Sequence, residues 1–257
     1  MASPALNVRS FITYIGGKSR RAAAIASRVA ARRCYVEVFG GAGWVLFARE
    51  PAPVEVFNDA DGRLVNLFRV VREQPAALAR ELSRMPRSRE LYDALKGAPR
   101  PRNRVRAAAA LYYLLKNAFS ARVGFSASKL YVGKYAMLND FAPWAARLNK
   151  VTIEQLDFED CIRRYDGPDT AFYLDPPYVG TERYYGASFD AATHVRLRDC
   201  LADATGAWLL SYNDCAEVRR WYRGFRQEAA PALYSAAKVG AASRRPTGGR
   251  ELLISNY

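Results

Sequence analysis

Short apolar runs bounded by glycine, proline or charge alternate along this chain with stretches of helical spacing. Lys18 to Arg33 carries apolar residues at Ala22, Ile25, Ala26 and Val29, one face of a helix, with Ser19 as its cap. Cys34 to Phe39 predicts a strand, Gly40-Gly41-Ala42-Gly43 a tight turn, and Trp44 to Glu50 the start of a helix. Val54 to Asn58 predicts a second strand ending at Asp59, and Leu64, Leu67, Phe68 and Val71 mark the next helical face. The same alternation resumes with strands over Val151 to Leu156 and Thr170 to Leu174, a helix near Asp190 to Ala204, and a strand over Ala207 to Tyr212. Two closing strands follow, roughly Gln227 to Tyr234 and Glu251 to Tyr257, joined by the loop Val239 to Arg250. This order predicts an α/β protein built on a mostly parallel sheet with helices on both faces, interrupted once.

The interruption is helical and basic. Pro75 to Lys96 and Asn103 to Ala118 read as helices, the second apolar on nearly all sides from Ala107 to Leu115, so other elements must cover it. The chain of 257 residues carries a formal charge of +14, and residues 60–150 hold 18 Lys and Arg against 6 Asp and Glu, so 12 of those charges fall in this stretch. A basic region set into a near-neutral scaffold predicts a polyanionic partner, with nucleic acid ahead of a membrane surface because no stretch is long or apolar enough for the latter. Arg100, Arg102, Arg104 and Arg106 alternate into a helix start, a pattern suited to phosphate contact. Ser120 to Ala136, with Arg122, Lys129 and Lys134, predicts a hairpin able to enter a groove.

Cysteine and histidine usage narrows the chemistry. Cys34, Cys161, Cys200 and Cys215 lie far apart without a Cys-x-x-Cys pair and read as core residues, so no metal site is predicted. His194 is the only histidine and reads as a packing or capping residue. The start Met1-Ala2-Ser3-Pro4 leads into no apolar segment of a secretory signal, which predicts a cytoplasmic protein. Without a heptad or an exposed apolar stripe, a monomer is expected.

Four loops carry candidate chemistry. The strand Thr170 to Leu174 ends in Asp175-Pro176-Pro177-Tyr178. Two prolines fix a rigid extended loop, which offers the Asp175 carboxylate and the Pro176 carbonyl as acceptors for an exocyclic amine and Tyr178 as a stacking surface. Phe39-x-Gly41-x-Gly43 follows a strand and opens a helix, bringing backbone close to a ligand. A nicotinamide enzyme would place a third glycine where Leu46 stands, which weighs against a dehydrogenase. Asp59, 16 residues beyond Gly43, can accept from both hydroxyls of a ribose, or Asn58-Asp59 can cap the following helix. Tyr14-Ile15-Gly16-Gly17-Lys18 sets two glycines between a ring and a lysine, suited to a charged ligand tail.

Taken in order, these segments resemble the Dam-type, alpha-group adenine-specific DNA methyltransferases. In that family an aromatic-x-Gly-Gly-Lys segment precedes Phe-x-Gly-x-Gly, Asn-Asp, a target-recognition insertion, Asp-Pro-Pro-Tyr and a closing strand like Arg250 to Tyr257. The resemblance covers roughly residues 11–59 and 151–257. It implies a Rossmann-like class I methyltransferase sheet, with residues 1–59 and 151–257 forming an S-adenosylmethionine-binding catalytic domain and residues 60–150 a mainly helical target-recognition domain. By the same resemblance Tyr14, Lys18, Phe39, Gly41, Gly43, Asp59 and Asp175 match positions that bind S-adenosylmethionine, and Asp157-Phe158 matches a pair that contacts its adenine. Asp175, Pro176, Pro177 and Tyr178 match the catalytic loop. The implied partner is double-stranded DNA, contacted through Arg102, Arg104, Asn117, Arg122, Lys129 and Lys134, in a restriction–modification setting of a bacterial or phage-infected cell. Lys116 to Phe119 and Val132 to Tyr135 resemble the recognition hairpin, but its usual Asn-Gly and Asn-Val-Pro segments are absent, so the resemblance does not extend to the GATC target. Amino-cytosine or RNA methylation on the same fold, and a catalytically silent DNA-binding protein, are the alternative readings.

Overall fold

A computed structural model of the chain describes residues 8–14, 16–119, 124–125, 140–181, 189–231 and 250–257. Its centre is a seven-stranded sheet. The strands are β1 (Cys34–Glu37), β2 (Val54–Asn58), β5 (Val151–Glu154), β6 (Thr170–Leu174), β7 (Ala207–Asn213), β8 (Arg226–Pro231) and β9 (Arg250–Ser255), in the order β5-β2-β1-β6-β7-β9-β8. The first five neighbours pair parallel, while β9 runs antiparallel to both β7 and β8. The predicted strands Val54 to Asn58 and Thr170 to Leu174 form with those bounds.

Alternation along each strand sorts side chains onto two faces. Tyr35, Phe57, Ala171, Tyr173, Leu209 and Leu253 point to one core, and Val36, Val56, Phe172, Leu174, Trp208, Leu210 and Ile254 to the other. The second face is covered by α8 (Phe158–Tyr165), α9 (Ala191–Asp203) and α10 (Ala216–Trp221). On the first lie α1 (Ala22–Ala26), α2 (Trp44–Ala48), α3 (Gly62–Glu73) and α7 (Ala142–Leu148). Outside these pack α4 (Pro75–Ser83), α5 (Arg89–Gly97) and α6 (Arg104–Asn117), followed by a two-stranded ribbon of β3 (Ala118–Phe119) and β4 (Gly124–Phe125).

Several helices differ from expectation. Only Ala22–Ala26 of the stretch Lys18 to Arg33 is helical, and Arg21 rather than Ser19 stands at its N-cap. The span Pro75 to Lys96 is two helices, because Pro86 cannot donate to a continuous turn and Ser88 caps the second by accepting from Leu91 N. The apolar α6 is covered by α3, α4 and α5, which satisfies its nearly all-round hydrophobicity. Helices α7, α8 and α10 went unread in the sequence because each is short and shows few turns of periodicity.

Residues 60–150 share their core with the sheet: Leu78, Leu82, Ala108, Tyr112, Phe141 and Leu148 join the cluster that holds Tyr35 and Phe57. A buried ion pair ties them together. Arg147, near the end of α7, donates to Glu55 on β2 at 2.6 and 2.9 Å and to the Leu46 carbonyl of α2 at 2.8 Å.

Candidate active site

The parallel strands β1, β2, β6 and β7 all end at one edge of the sheet, and antiparallel β9 begins there. Ligands in such folds bind outside these carboxyl ends. The turn after β1 is shaped by two left-handed glycines, Gly41 (φ +52°) and Gly43 (φ +66°), the second forming the N-cap of α2. Gly40 lies so close to the Phe57 ring that a Cβ there would collide with it. Asn58 braces the neighbouring strand ends, donating to the Val38 carbonyl at 2.9 Å and accepting from Leu156 N at 2.9 Å.

Asp59 follows immediately. Its carboxylate accepts from Gly41 N and from Asp61 N, both at 2.8 Å, so it fixes the glycine turn. The helix cap anticipated from Asn58-Asp59 is supplied instead by Asp61, which accepts from Arg63 N. Burial pushes the Asp59 carboxyl up to about 6, against the two backbone bonds that lower it.

Asp175 sits at the end of β6, beside Lys18. Lys18 Nζ lies 2.6 Å from Asp175 Oδ1, donates to the Tyr178 hydroxyl at 2.9 Å, and reaches Glu251 at 3.2 Å. Tyr178 also donates to Glu251, and Arg21 donates to the other oxygen of Glu251. Burial raises the Asp175 carboxyl to about 6, opposed by Lys18 and reinforced by Glu251. Burial pulls the Lys18 ammonium down, but the two carboxylates outweigh it and the net direction is upward. The loop beyond is clamped by Asn213 at the end of β7, whose amide accepts from Val179 N at 3.1 Å and donates to Val179 O at 3.2 Å.

These loops border a cleft of about 780 Å³. Tyr14, Lys18, Phe39, Gly41, Asp59 and Asp175 line it, as do Glu37 and Pro177. Its far wall comes from the inserted segment, through Tyr92 and Lys96 of α5 and Leu111, Leu114 and Leu115 of α6. Gly43 lies behind the turn. Phe158 is buried against the Phe39 ring, with centroids 5.7 Å apart, and Asp157 caps α8 and binds Arg196 at 3.0 Å, so this pair stands outside the cleft lining. Pro176 is buried, and Tyr178 turns its hydroxyl into the Lys18–Glu251 cluster. His194 is a packing residue: it is buried, bonds the Tyr212 hydroxyl and stacks on Trp221.

A family comparison decides what this cleft belongs to. The family model described as D12 class N6 adenine-specific DNA methyltransferase matches residues 14–235, which contain the turn, the insertion and the Pro-Pro loop. The chain belongs to that family. It is therefore an adenine-specific DNA methyltransferase, with DNA as substrate and an S-adenosylmethionine donor implied by the family. It is also 24% identical to the Type II methyltransferase M1.LlaDCHI of Lactococcus lactis subsp. cremoris, across 98% of this chain and 96% of that protein.

The methyltransferase's expected DNA contacts fall unevenly. Arg102 and Arg104 are exposed at the start of α6, though Arg104 also pairs with Glu73 at 3.1 Å. Asn117 is 3% exposed, accepts from Arg87 and donates to the Tyr113 carbonyl, so here it secures the end of α6. Arg122, Lys129 and Lys134 lie outside the described residues. Glu37, Asn213, Glu251 and the Arg147–Glu55 pair were not singled out in the sequence. Glu251 could have been found from the closing segment it belongs to, whereas the others carry no local signal. No helix among the described residues is long and apolar enough to cross a membrane, and none of their His, Cys, Asp and Glu side chains cluster in threes as metal ligands.

Proposed function

We propose that the methyltransferase acts as a monomer on duplex DNA, drawing one adenine out of the helix into the mouth of this cleft. The observation that carries the reading is the convergence of Lys18, Gly41, Asp59 and Asp175, from four separate loops, on one cleft. The donor set fits the cofactor: the Asp59 and Asp175 carboxylates line the cleft that would take a sulfonium cation, and the glycine turn permits close backbone approach. In this assignment Tyr14, Lys18, Phe39, Gly41 and Asp59 hold S-adenosylmethionine, with Gly43 shaping the turn and the Phe158 ring supporting Phe39. When bound, that cofactor supplies an electrophilic methyl group.

The remaining work falls to the chain. An exocyclic amine is a poor nucleophile because its lone pair is delocalised into the ring. The Asp175 carboxylate and the Pro176 carbonyl accept hydrogen bonds from its two N–H groups, drawing the nitrogen toward tetrahedral geometry and favouring the transition state over the ground state, and the proton that the methylated nitrogen sheds passes to Asp175 or to water. With its carboxyl at about 6, Asp175 is ionised at neutral pH and competent as that acceptor. Tyr178 borders the base with its ring, and stacking of this kind returns about 1–3 kcal/mol against the few kcal/mol that extrusion costs. Arg102 and Arg104, with Arg100 and Arg106, contact phosphates and make affinity steeply salt-dependent. Residues 60–150 act as the target-recognition region, in the cytoplasm of a bacterial or phage-infected cell, and the Type II name of the Lactococcus relative supports a restriction–modification role.

Mass spectrometry of nucleosides from unmethylated duplex DNA, incubated with S-adenosylmethionine and either wild type or Asp175→Ala, tests the assignment. N6-methyladenine from the wild type alone, with cofactor binding retained by the variant in calorimetry, is expected. Equal loss of turnover and cofactor binding would make Asp175 a ligand-holding residue and overturn the acceptor role.

A further inference from the structure

Glu251 occupies a position that the transfer step, as assigned above, leaves without a role. It is the second residue of β9 and pairs with Asn213, so the antiparallel turn of the sheet delivers it to the same edge as Asp175. Its side chain is 5% exposed and fully engaged: Oε1 faces the Tyr178 hydroxyl and Lys18, and Oε2 takes Arg21. Lys18, itself 9% exposed, stands between two carboxylates, 2.6 Å from Asp175 and 3.2 Å from Glu251.

That arrangement meets a specific chemical need. The target amine must donate to Asp175, yet Asp175 already holds an ammonium at 2.6 Å. A buried ammonium cannot leave one acceptor without another, because an unpaired charge removed from water is costly. Glu251 is that second acceptor, already within ion-pair distance, and Arg21 on its far oxygen keeps it from turning to follow Lys18. Two carboxylates and two cations leave the cluster balanced before and after the exchange.

We propose that Glu251 is a positioning residue for methyl transfer, which receives Lys18 from Asp175 as the adenine amine arrives and fixes the Tyr178 ring through its hydroxyl. The proposal rests on Asp175 being the amine acceptor. Asp175 is faced by Lys18 from the segment before α1, Glu37 on β1, Tyr173 on β6, Tyr178 on its own loop and Glu251 on β9, with Arg21 standing behind Glu251 on its other oxygen. Removing the Glu251 charge removes an influence that raises the Asp175 carboxyl, so its titration moves to lower pH.

Single-turnover methylation of duplex DNA, with both substrates saturating and across a range of pH, is measured for wild type, Glu251→Gln, Glu251→Asp and Asp175→Ala, alongside KM values and unfolding midpoints. Glu251→Gln is expected to slow transfer roughly 10- to 100-fold, the worth of a hydrogen bond to a charged group, with both KM values near wild type. Its acid limb moves to lower pH, and Glu251→Asp restores the limb and part of the rate. A wild-type rate in Glu251→Gln, or a slowed rate with an unmoved limb, overturns the proposal. Should Glu251→Gln be too unstable to assay, Tyr178→Phe removes the hydroxyl shared by Lys18 and Glu251 and must slow transfer at unchanged KM; an unchanged rate overturns the proposal equally. Turnover persisting in Asp175→Ala would instead remove the acceptor assignment, an outcome separable from the others.

Discussion

Replacing Arg147 by methionine should cost more stability than any exposed substitution in the protein. Its guanidinium makes three hydrogen bonds, two to Glu55 and one to the Leu46 carbonyl, and the two side chains are 5% and 3% exposed. Arg147→Met leaves a carboxylate and a carbonyl buried without this donor. Breaking one side of such a pair costs about 3–5 kcal/mol, which for a chain of this size lowers the melting temperature by roughly 6–20 °C. Replacing both partners, as Glu55→Leu with Arg147→Met, removes the stranded charge and should recover about 2 kcal/mol or more, leaving mainly the Leu46 carbonyl short of its donor. Denaturant unfolding of the two single variants and the double variant measures each term and their coupling. A single-variant loss below about 1 kcal/mol, or a double variant as unstable as the sum of the singles, would refute the reasoning, since either means that the pair is not desolvated.

Three other outcomes follow from the same geometry. Burial pushes the Glu37 carboxyl from 4.5 to about 8, so the folded protein binds a proton that the unfolded chain has lost, and stability should fall as pH rises between those values; Glu37→Gln should flatten that slope in pH-dependent unfolding, and an unchanged slope would deny it. Gly40→Ala drives a methyl into the Phe57 ring, which is stacked on Phe68 at 4.0 Å and cannot yield, so a loss of about 1–3 kcal/mol is expected from chemical denaturation. Asn213→Ala frees Val179 from both of its clamping bonds and should lower kcat roughly tenfold or more in steady-state assays, with melting temperature falling by only a few degrees.

The parts of the fold legible in sequence are those fixed by local pattern. β2 and β6 are runs of about five residues with apolar character and abrupt polar or proline ends, and both strands keep their read bounds. The candidate site was legible where a backbone constraint leaves a mark: the glycines of the turn, the two prolines after Asp175. What stayed hidden was partnership across distance. Lys18 meets Asp175 across 157 residues and Arg147 meets Glu55 across 92, and neither pairing alters the local pattern around its members. Asn117 shows the same limit, since a polar residue beside a basic stretch reads as surface, while its burial depends in part on Arg87, 30 residues away, reaching its side chain.

The strands β2 and β5 are adjacent and parallel, yet the whole of residues 60–150 is spent in passing from one to the other. Any parallel neighbour requires a crossover, and the entropy of closing a longer one grows only with the logarithm of its length, about 0.6 kcal/mol per doubling. The target-recognition region proposed for that crossover can therefore lengthen, shorten or be exchanged at small thermodynamic cost to the sheet, provided the replacement supplies a helix to cover the same face and an arginine to meet Glu55. On that proposal, target choice and methyl chemistry are free to diverge separately within one polypeptide.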